Sequence, residues 1–296
     1  MVALTLFLIA ASLEGRDIYQ SLARPLPALW ALCVSYGLLP ALGWLAGQLL
    51  SVPDLRIGLL LIASVPCTLA SAALWTRLAG GNDAMALLTV LLSTALSWLL
   101  TTAWLAFGTG AAVEIDTPTM MRGLTLVLIV PVGLGQLGRL ARPLARLLDR
   151  YKARLAVVSL VLVLCIIVRA AVDARDKLEA GSALVDMATF LAMLALCLAT
   201  HLLALTTGFW TSRLLRFTRQ DQIAVAFSGS QKTLPVALYL FDAYFIKDYP
   251  LAVLPLIVYH VGQLLLDTLI AHRWAQPSTG SEGQKGLAEA KPFLGA

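Results

Sequence analysis

Charge is what this sequence has least of. Of its 296 residues only 13% are Asp, Glu, Lys or Arg, against about 25% in a soluble globular domain. Hydrophobic residues make up 59%, and mean hydropathy is +0.83. With so little charge no ordinary water-facing surface can be built, so a bilayer must be the solvent for most of the outside. No stretch is long enough for a separate soluble domain. Cysteine is scarce: Cys33, Cys67, Cys165 and Cys197 all lie in apolar runs without metal-ligand spacing, which reads as packing. Three histidines make no His-x-x-x-His pair, and no Ser–His pair can be placed together, so a membrane enzyme is the most distant class. The net charge is +5 and the pI about 9.2. No basic patch interleaves with exposed aromatics, which argues against a nucleic-acid partner.

What is present is a series of apolar segments, at residues 1–13, 27–50, 57–79, 83–107, 120–138, 155–172, 184–212, 221–243 and 250–271. A spanning helix needs about 20 apolar residues. The first segment falls short of that, ending at Glu14-Gly15-Arg16-Asp17. No basic residue precedes it, which disfavours a signal peptide. We read it as a membrane helix that continues past its polar end or lacks its beginning in this chain. The loop 139–154 carries Arg139, Arg142, Arg146, Arg150, Lys152 and Arg154 against one acid, Asp149, and another loop carries Arg213, Arg216 and Arg219. Both are expected to be cytoplasmic by the positive-inside rule. Loops with Glu114 and Asp116, with Asp173, Asp176 and Glu179, and with Asp248 alternate with them. Nine crossings then leave the N-terminus outside and the C-terminus in the cytoplasm of a plasma (inner) membrane protein. Residues 273–296 are expected to be a disordered cytoplasmic tail.

Two segments are not monotonous. One contains Ser64-Val65-Pro66-Cys67-Thr68-Leu69-Ala70-Ser71, the other Phe227-Ser228-Gly229-Ser230-Gln231-Lys232-Thr233-Leu234-Pro235. Proline removes a helical hydrogen bond, and the freed backbone groups must be buried or line a cavity. Paired interruptions point to a transporter binding site. Each is the penultimate segment of its half (1–107 and 120–272), and the two cross in opposite directions, which predicts inverted repeats. Lys232 lies about 16 Å from either end of its segment by helical rise, too deep to snorkel. It is expected either to face a cavity, holding an anion or a titrating proton, or to be buried against Gln231, Ser230 and backbone carbonyls. Gln136 follows Pro131 and Gly135 and either lines the cavity or bonds between helices. His260 and Gln263 share a helix face at i, i+3, and His201 reads as a packed hydrogen-bonding residue. Arg77 and Asn82 flank a Gly80-Gly81 turn.

The run Pro66-Cys67-Thr68-Leu69-Ala70-Ser71 followed by Thr76-Arg77-Leu78-Ala79-Gly80-Gly81-Asn82, and the run Gly229-Ser230-Gln231-Lys232-Thr233-Leu234, resemble the bile acid:sodium symporter superfamily, in its symporter-like branch. Pro131 with Gly135-Gln136, and Tyr259-His260, fit the same branch. The resemblance covers residues 1–272. It implies an all-α integral membrane fold of ten helices (nine here, if the chain begins in the family's second). That fold is two inverted five-helix repeats, with panel and core domains and two broken helices crossing in the core. It also implies alternating access for an organic anion. One departure stands out. Where sodium-coupled members carry a glutamate, this chain has Phe227, with Ala72 and Ala73 near the first crossing; Gln231 alone matches, and a lysine stands beside it.

The leading reading is therefore a secondary transporter of a small organic anion. The expected binding residues are Thr68, Ser71, Gln136, Ser228, Gly229, Ser230, Gln231, Lys232, Thr233 and His260, aided by half-helix N-termini at the breaks. No cofactor is expected, only coupling ions: sodium near Gln231 or protons, with Lys232 standing electrostatically for one sodium. The alternatives are a cation/proton antiporter titrating Lys232 and a non-transporting membrane regulator with the same fold.

Overall fold

The computed structural model describes residues 2–12, 24–110, 116–151 and 185–275, with scattered residues between 154 and 172. Within the expected segment 155–172, residues 156, 160, 163, 166, 167, 170 and 171 lie outside them. Glu114, Asp173, Asp176, Glu179 and the tail from 276 lie wholly outside.

All regular structure among the described residues is helical. Five helices are long and apolar enough to cross a membrane: α2 (Leu26–Gly47), α5 (Asp83–Thr109), α6 (Thr117–Gly138), α8 (Met187–Leu214) and the run Pro250–Trp274, whose α-helical part is α11 (Val253–Trp274). The remaining expected segments are short, as α1 (Val2–Ser12) is, or broken. The broken ones are α3 (Pro53–Ser64) with α4 (Ser71–Leu78), and α9 (Arg219–Ser230) with α10 (Leu234–Leu240). α7 (Arg142–Arg150) is a short basic helix following α6. α11 runs through Trp274, past the expected segment end at 271, with the Trp274 ring 4.8 Å from that of Phe209.

Local chemistry sets the helix ends. Asn82, Asp116, Asp186 and Thr218 cap α5, α6, α8 and α9, each side chain accepting a backbone N–H of the first turn, which meets one of the donors a helix start leaves open. Gly80, at φ 74°, turns the chain between α4 and α5, a conformation glycine adopts without strain.

Contacts at the two ends of the bundle fix the direction of the broken helices. At one end Asn82 donates its backbone N–H to Gln220 O (3.0 Å) and its amide to Asp221 (2.8 Å), so the end of α4 meets the start of α9. At the other, Leu251 N donates to Asp54 Oδ2 (2.9 Å), tying the start of α3 to the chain beyond α10. The two broken helices therefore run antiparallel.

The tightest approach is at Gly58 in α3, where an added Cβ would lie 2.3 Å from Ala252 O and 2.9 Å from Pro255 Cγ. Backbone cannot yield as a flexible side chain does. Gly58→Ala is expected to destabilise by about 1–3 kcal/mol and to lower the melting temperature of detergent-purified protein. Gly133→Ala in α6, where a Cβ meets nothing within 4 Å, serves as the control and is expected not to lower it.

Candidate functional site

α3 stops where Pro66 pushes Val65 into extended backbone (φ −73°, ψ 163°), as the residue before a proline is biased to do. α9 stops at Gln231 (φ −78°, ψ 143°), and the chain stays extended through Thr233 before Pro235 opens α10. The two breaks lie against each other: Thr233 N donates to Pro66 O at 3.1 Å.

Backbone groups released by the breaks find partners on neighbouring helices. Ser64 O accepts from Thr101 Oγ1 (2.8 Å), and Cys67 N donates to Ser93 Oγ (3.2 Å), both on α5. Ser230 O accepts from Tyr259 OH (2.9 Å) on α11. The Gln263 side chain brackets Lys232, accepting from its N–H (2.9 Å) and donating to its carbonyl (2.8 Å). Gln263 also donates to His260 Nδ1 at 2.9 Å.

Lys232 has no exposed surface. Its Nζ donates to Ser35 O (2.7 Å), Ser35 Oγ (3.1 Å) and Val65 O (2.8 Å), and lies 4.9 Å from the centre of the Tyr36 ring. Three acceptors match the three N–H donors of an ammonium, and a ring face adds a favourable site for a cation. Ser35 and Tyr36 belong to a π-helical turn, Val34–Leu38, inside α2. The lysine thus meets the carbonyl end of α3, where the helix dipole is negative. The sequence reading placed half-helix N-termini around the ligand; the group this cation meets is a C-terminus, because Lys232 reaches back across the break to Val65.

Gln231, equally buried, faces the other way. Its Oε1 accepts from Thr68 Oγ1 (2.7 Å) and Ser71 Oγ (2.8 Å), and its Nε2 donates to Asp267 Oδ2 (2.6 Å). Asp267 Oδ1 lies 2.9 Å from His201 Nε2, and His201 Nδ1 lies 3.3 Å from Ser230 O. Asp267 and His201 have no exposed surface. Thr68 Oγ1 and Ser71 Oγ also lie 2.5 Å apart, so three close oxygens share two hydroxyl hydrogens. Among the described residues no group of three or more His, Cys, Asp or Glu is arranged to hold a metal.

Of the residues singled out in the sequence, Thr68, Ser71, Gln231, Lys232, Thr233 and His260 meet at the breaks. Ser228 and Ser230 turn their hydroxyls onto their own helix, at Ala224 O and Ala226 O; only the carbonyl of Ser230 enters the network. Gly229 permits close packing, since a Cβ there would lie 3.0 Å from Val34 Cγ1. Gln136 is correctly placed on α6 but joins a different contact, donating to Ala10 O (2.6 Å) where α6 packs on α1. The sequence does not single out Asp267, Ser35, Tyr36 or Ser93, whereas His201 is buried and hydrogen-bonded as expected. Asp267 was the detectable one: a carboxylate in a Leu-rich helix is costly and marks function by default, and His260, Gln263 and Asp267 share one face at i, i+3, i+7.

Among the described residues, cavities lie toward both ends of the crossing. One, about 240 Å³, is lined by Trp44, Gln48, Arg56 and Tyr249 at the end where α3 begins. The other, about 530 Å³, is lined by Arg77, Thr218, Arg219 and Trp274 where α4 ends.

Apolar spanning helices surrounding two broken helices joined at their breaks define a multi-pass membrane transporter. The chain belongs to the SBF-like CPA transporter family, whose profile matches residues 1–276. It is 26% identical over 306 residues to sodium/bile acid cotransporter 7 of Rattus norvegicus, covering 99% of this chain and 86% of that protein. It is 24% identical over 269 residues to sodium/bile acid cotransporter 7-A of Xenopus laevis (88% and 76%) and 29% over 300 residues to the uncharacterized protein PA2026 of Pseudomonas aeruginosa (98% and 86%). The superfamily resemblance carried by Pro66–Ser71 and Gly229–Leu234 is borne out. The family is one of transporters, not of enzymes.

Gln263→Leu removes partners from both backbone groups of Lys232. It is expected to destabilise by about 1–3 kcal/mol for each group left unmade, read as a lower melting temperature. Thr206→Val, whose hydroxyl is exposed and bonded within its own helix, is expected to leave it unchanged.

Proposed function

We propose that this protein is a secondary transporter that carries a small or amphipathic organic anion by alternating access. The observation that carries the proposal is Lys232, an ammonium fixed by three acceptors where the two broken helices meet. A buried charge is felt strongly in a low-dielectric interior, so it draws an anion to the crossing without facing water itself. The sodium/bile acid cotransporter names of the relatives support the substrate class. In this reading residues 1–107 and 120–272 are inverted repeats forming panel and core, the N-terminus is outside and the C-terminus cytoplasmic. Arg77, Arg213, Arg216 and Arg219, gathered where α4 ends and α9 begins, support that orientation.

Lys232 also bears on coupling. Its ammonium supplies positive charge beside Gln231, whose oxygen is occupied by Thr68 and Ser71. The proposal is that Lys232 stands for one sodium and that coupling runs through protons, another ion or none. A second reading, a non-transporting regulator, is favoured by one observation: Gln231 and Lys232 are sealed from solvent. The cation/proton antiporter alternative would have Lys232 exchange its proton.

Counterflow in proteoliposomes with a panel of radiolabelled organic anions, run with sodium, with potassium and with a pH gradient, separates these. Exchange of an anion without a sodium requirement is expected. Lys232→Ala is expected to lower it at least about tenfold, the factor that about 1.4 kcal/mol gives, in protein that still elutes as a single species. An absolute need for sodium overturns the coupling proposal, and absence of exchange by folded wild type overturns the carrier.

A further inference from the structure

The surroundings of His201 offer an oxygen to each ring nitrogen, more acceptors than one imidazole N–H can serve. Both ring nitrogens face oxygen: Nδ1 lies 3.3 Å from the Ser230 carbonyl and Nε2 lies 2.9 Å from Asp267 Oδ1. A neutral imidazole has a single N–H, and an ionised carboxylate only accepts. With one N–H, a lone pair is left against an oxygen at one nitrogen or the other. Both contacts become hydrogen bonds when one more proton lies between Nε2 and Oδ1, carried as imidazolium with carboxylate or as imidazole with carboxylic acid. Oδ2 cannot take it, because it accepts from Gln231 Nε2 at 2.6 Å. The other titratable groups around the pair are Tyr259 and His260 on α11, Cys197 on α8, Cys67 in the first break and Lys232 in the second. Tyr259 OH is committed to Ser230 O, with its ring 5.8 Å from that of His201. Lys232 turns its Nζ to α2 and Val65, away from Asp267.

We infer that Asp267 and His201 form a proton-binding site distinct from Lys232, and that the proton held there travels with the anion. The inference rests on the carrier reading above. Among the described residues, Lys232 is the fully buried lysine or arginine and Asp267 the fully buried aspartate or glutamate. With the proton bound, the Asp267–His201 pair is neutral and the crossing keeps the unit positive charge of Lys232. With the proton lost, the pair is −1 and cancels it. A loaded proton thus favours an anion and an empty site disfavours one, which links the two in one direction of movement. Gln231 is the positioning residue: it joins the carboxylate that gains and loses charge to Thr68 and Ser71 in the first break.

The deciding measurement needs no substrate. Protein labelled with [15N]histidine, reconstituted in lipid, is followed by solid-state NMR as pH is varied, and the His201 resonances are those lost in His201→Gln. We expect the His201 nitrogen resonances to shift as pH rises, by loss of the Nε2 proton where the ring carries it or by loss of the carboxyl hydrogen bond at Nε2 where Asp267 carries it. In Asp267→Asn the ring is expected to be neutral across the range. A wild-type His201 signal unchanged with pH, in either form, overturns the inference, as does one that follows sodium instead of pH or an Asp267→Asn variant that titrates as wild type. Should Asp267→Asn fail to fold, the wild-type titration decides alone. In proteoliposomes loaded with a pH-sensitive dye, the same panel of anions is expected to carry protons with wild type and none with Asp267→Asn. Failure of counterflow removes the carrier while leaving the titration standing; a silent titration removes the proton site while leaving the carrier.

Discussion

A backbone interrupted inside a bilayer must find its hydrogen bonds within the protein, because lipid offers none. Two interruptions in one chain double the demand, and here each helps to satisfy the other. Thr233 N reaches Pro66 O directly, and Lys232 Nζ reaches Val65 O. What remains is taken up by hydroxyls of α5 and by Tyr259 and Gln263 of α11. The breaks are therefore one structure, which neither α3–α4 nor α9–α10 could form alone. The π-helical turn of α2 belongs to it as well, since that turn presents Ser35 and Tyr36 to the lysine.

The extended backbone at the second break explains how one short run serves two partners. Successive side chains of extended chain point to opposite sides, so Gln231 and Lys232 diverge. Lysine goes to α2 and α3; glutamine goes to α4 and, through Asp267, to α11 and α8. A helix continuing through these positions would set neighbouring side chains about 100° apart, not opposite. Opposite buried charges gain little net stability from direct pairing once desolvation is counted. Here they are held by separate sets of groups on two sides of the crossing, Ser35 and Val65 for the lysine and Gln231 and His201 for the aspartate.

How much of this was legible follows from what kind of signal each residue gives. Proline with hydroxyls and glycine in an apolar run is a local signal, so both breaks and their bearing on transport were readable. A lysine far from any helix end is likewise local. Asp267 was overlooked because it lies near the end of a segment whose boundary was set at 271, where an acid reads as interfacial; the helix in fact continues to Trp274. Ser35 and Tyr36 carry no local mark, since their role arises from a π-turn that only packing reveals. Gln136 is the opposite case, a polar residue after proline whose partner is Ala10 O on α1, a contact that only packing reveals. Arg139 meets the next carbonyl, Ala11 O, at 2.7 Å.

The position of the two cavities bears on why the crossing is closed. They open at opposite ends, one beside the start of α3 and one beside the end of α4, with the bonded breaks between them. A pore would need that barrier to be absent; a carrier needs it to persist whichever side is open. The bonds across the breaks are between groups with no other partners in lipid, so separating them at mid-membrane would leave several buried donors and acceptors unmade, at about 1–3 kcal/mol each. Gln136 and Arg139 of the α6 segment bond to α1 apart from the crossing. The hydrogen bonding that compensates for two broken helices thus also holds the crossing closed between the two cavities.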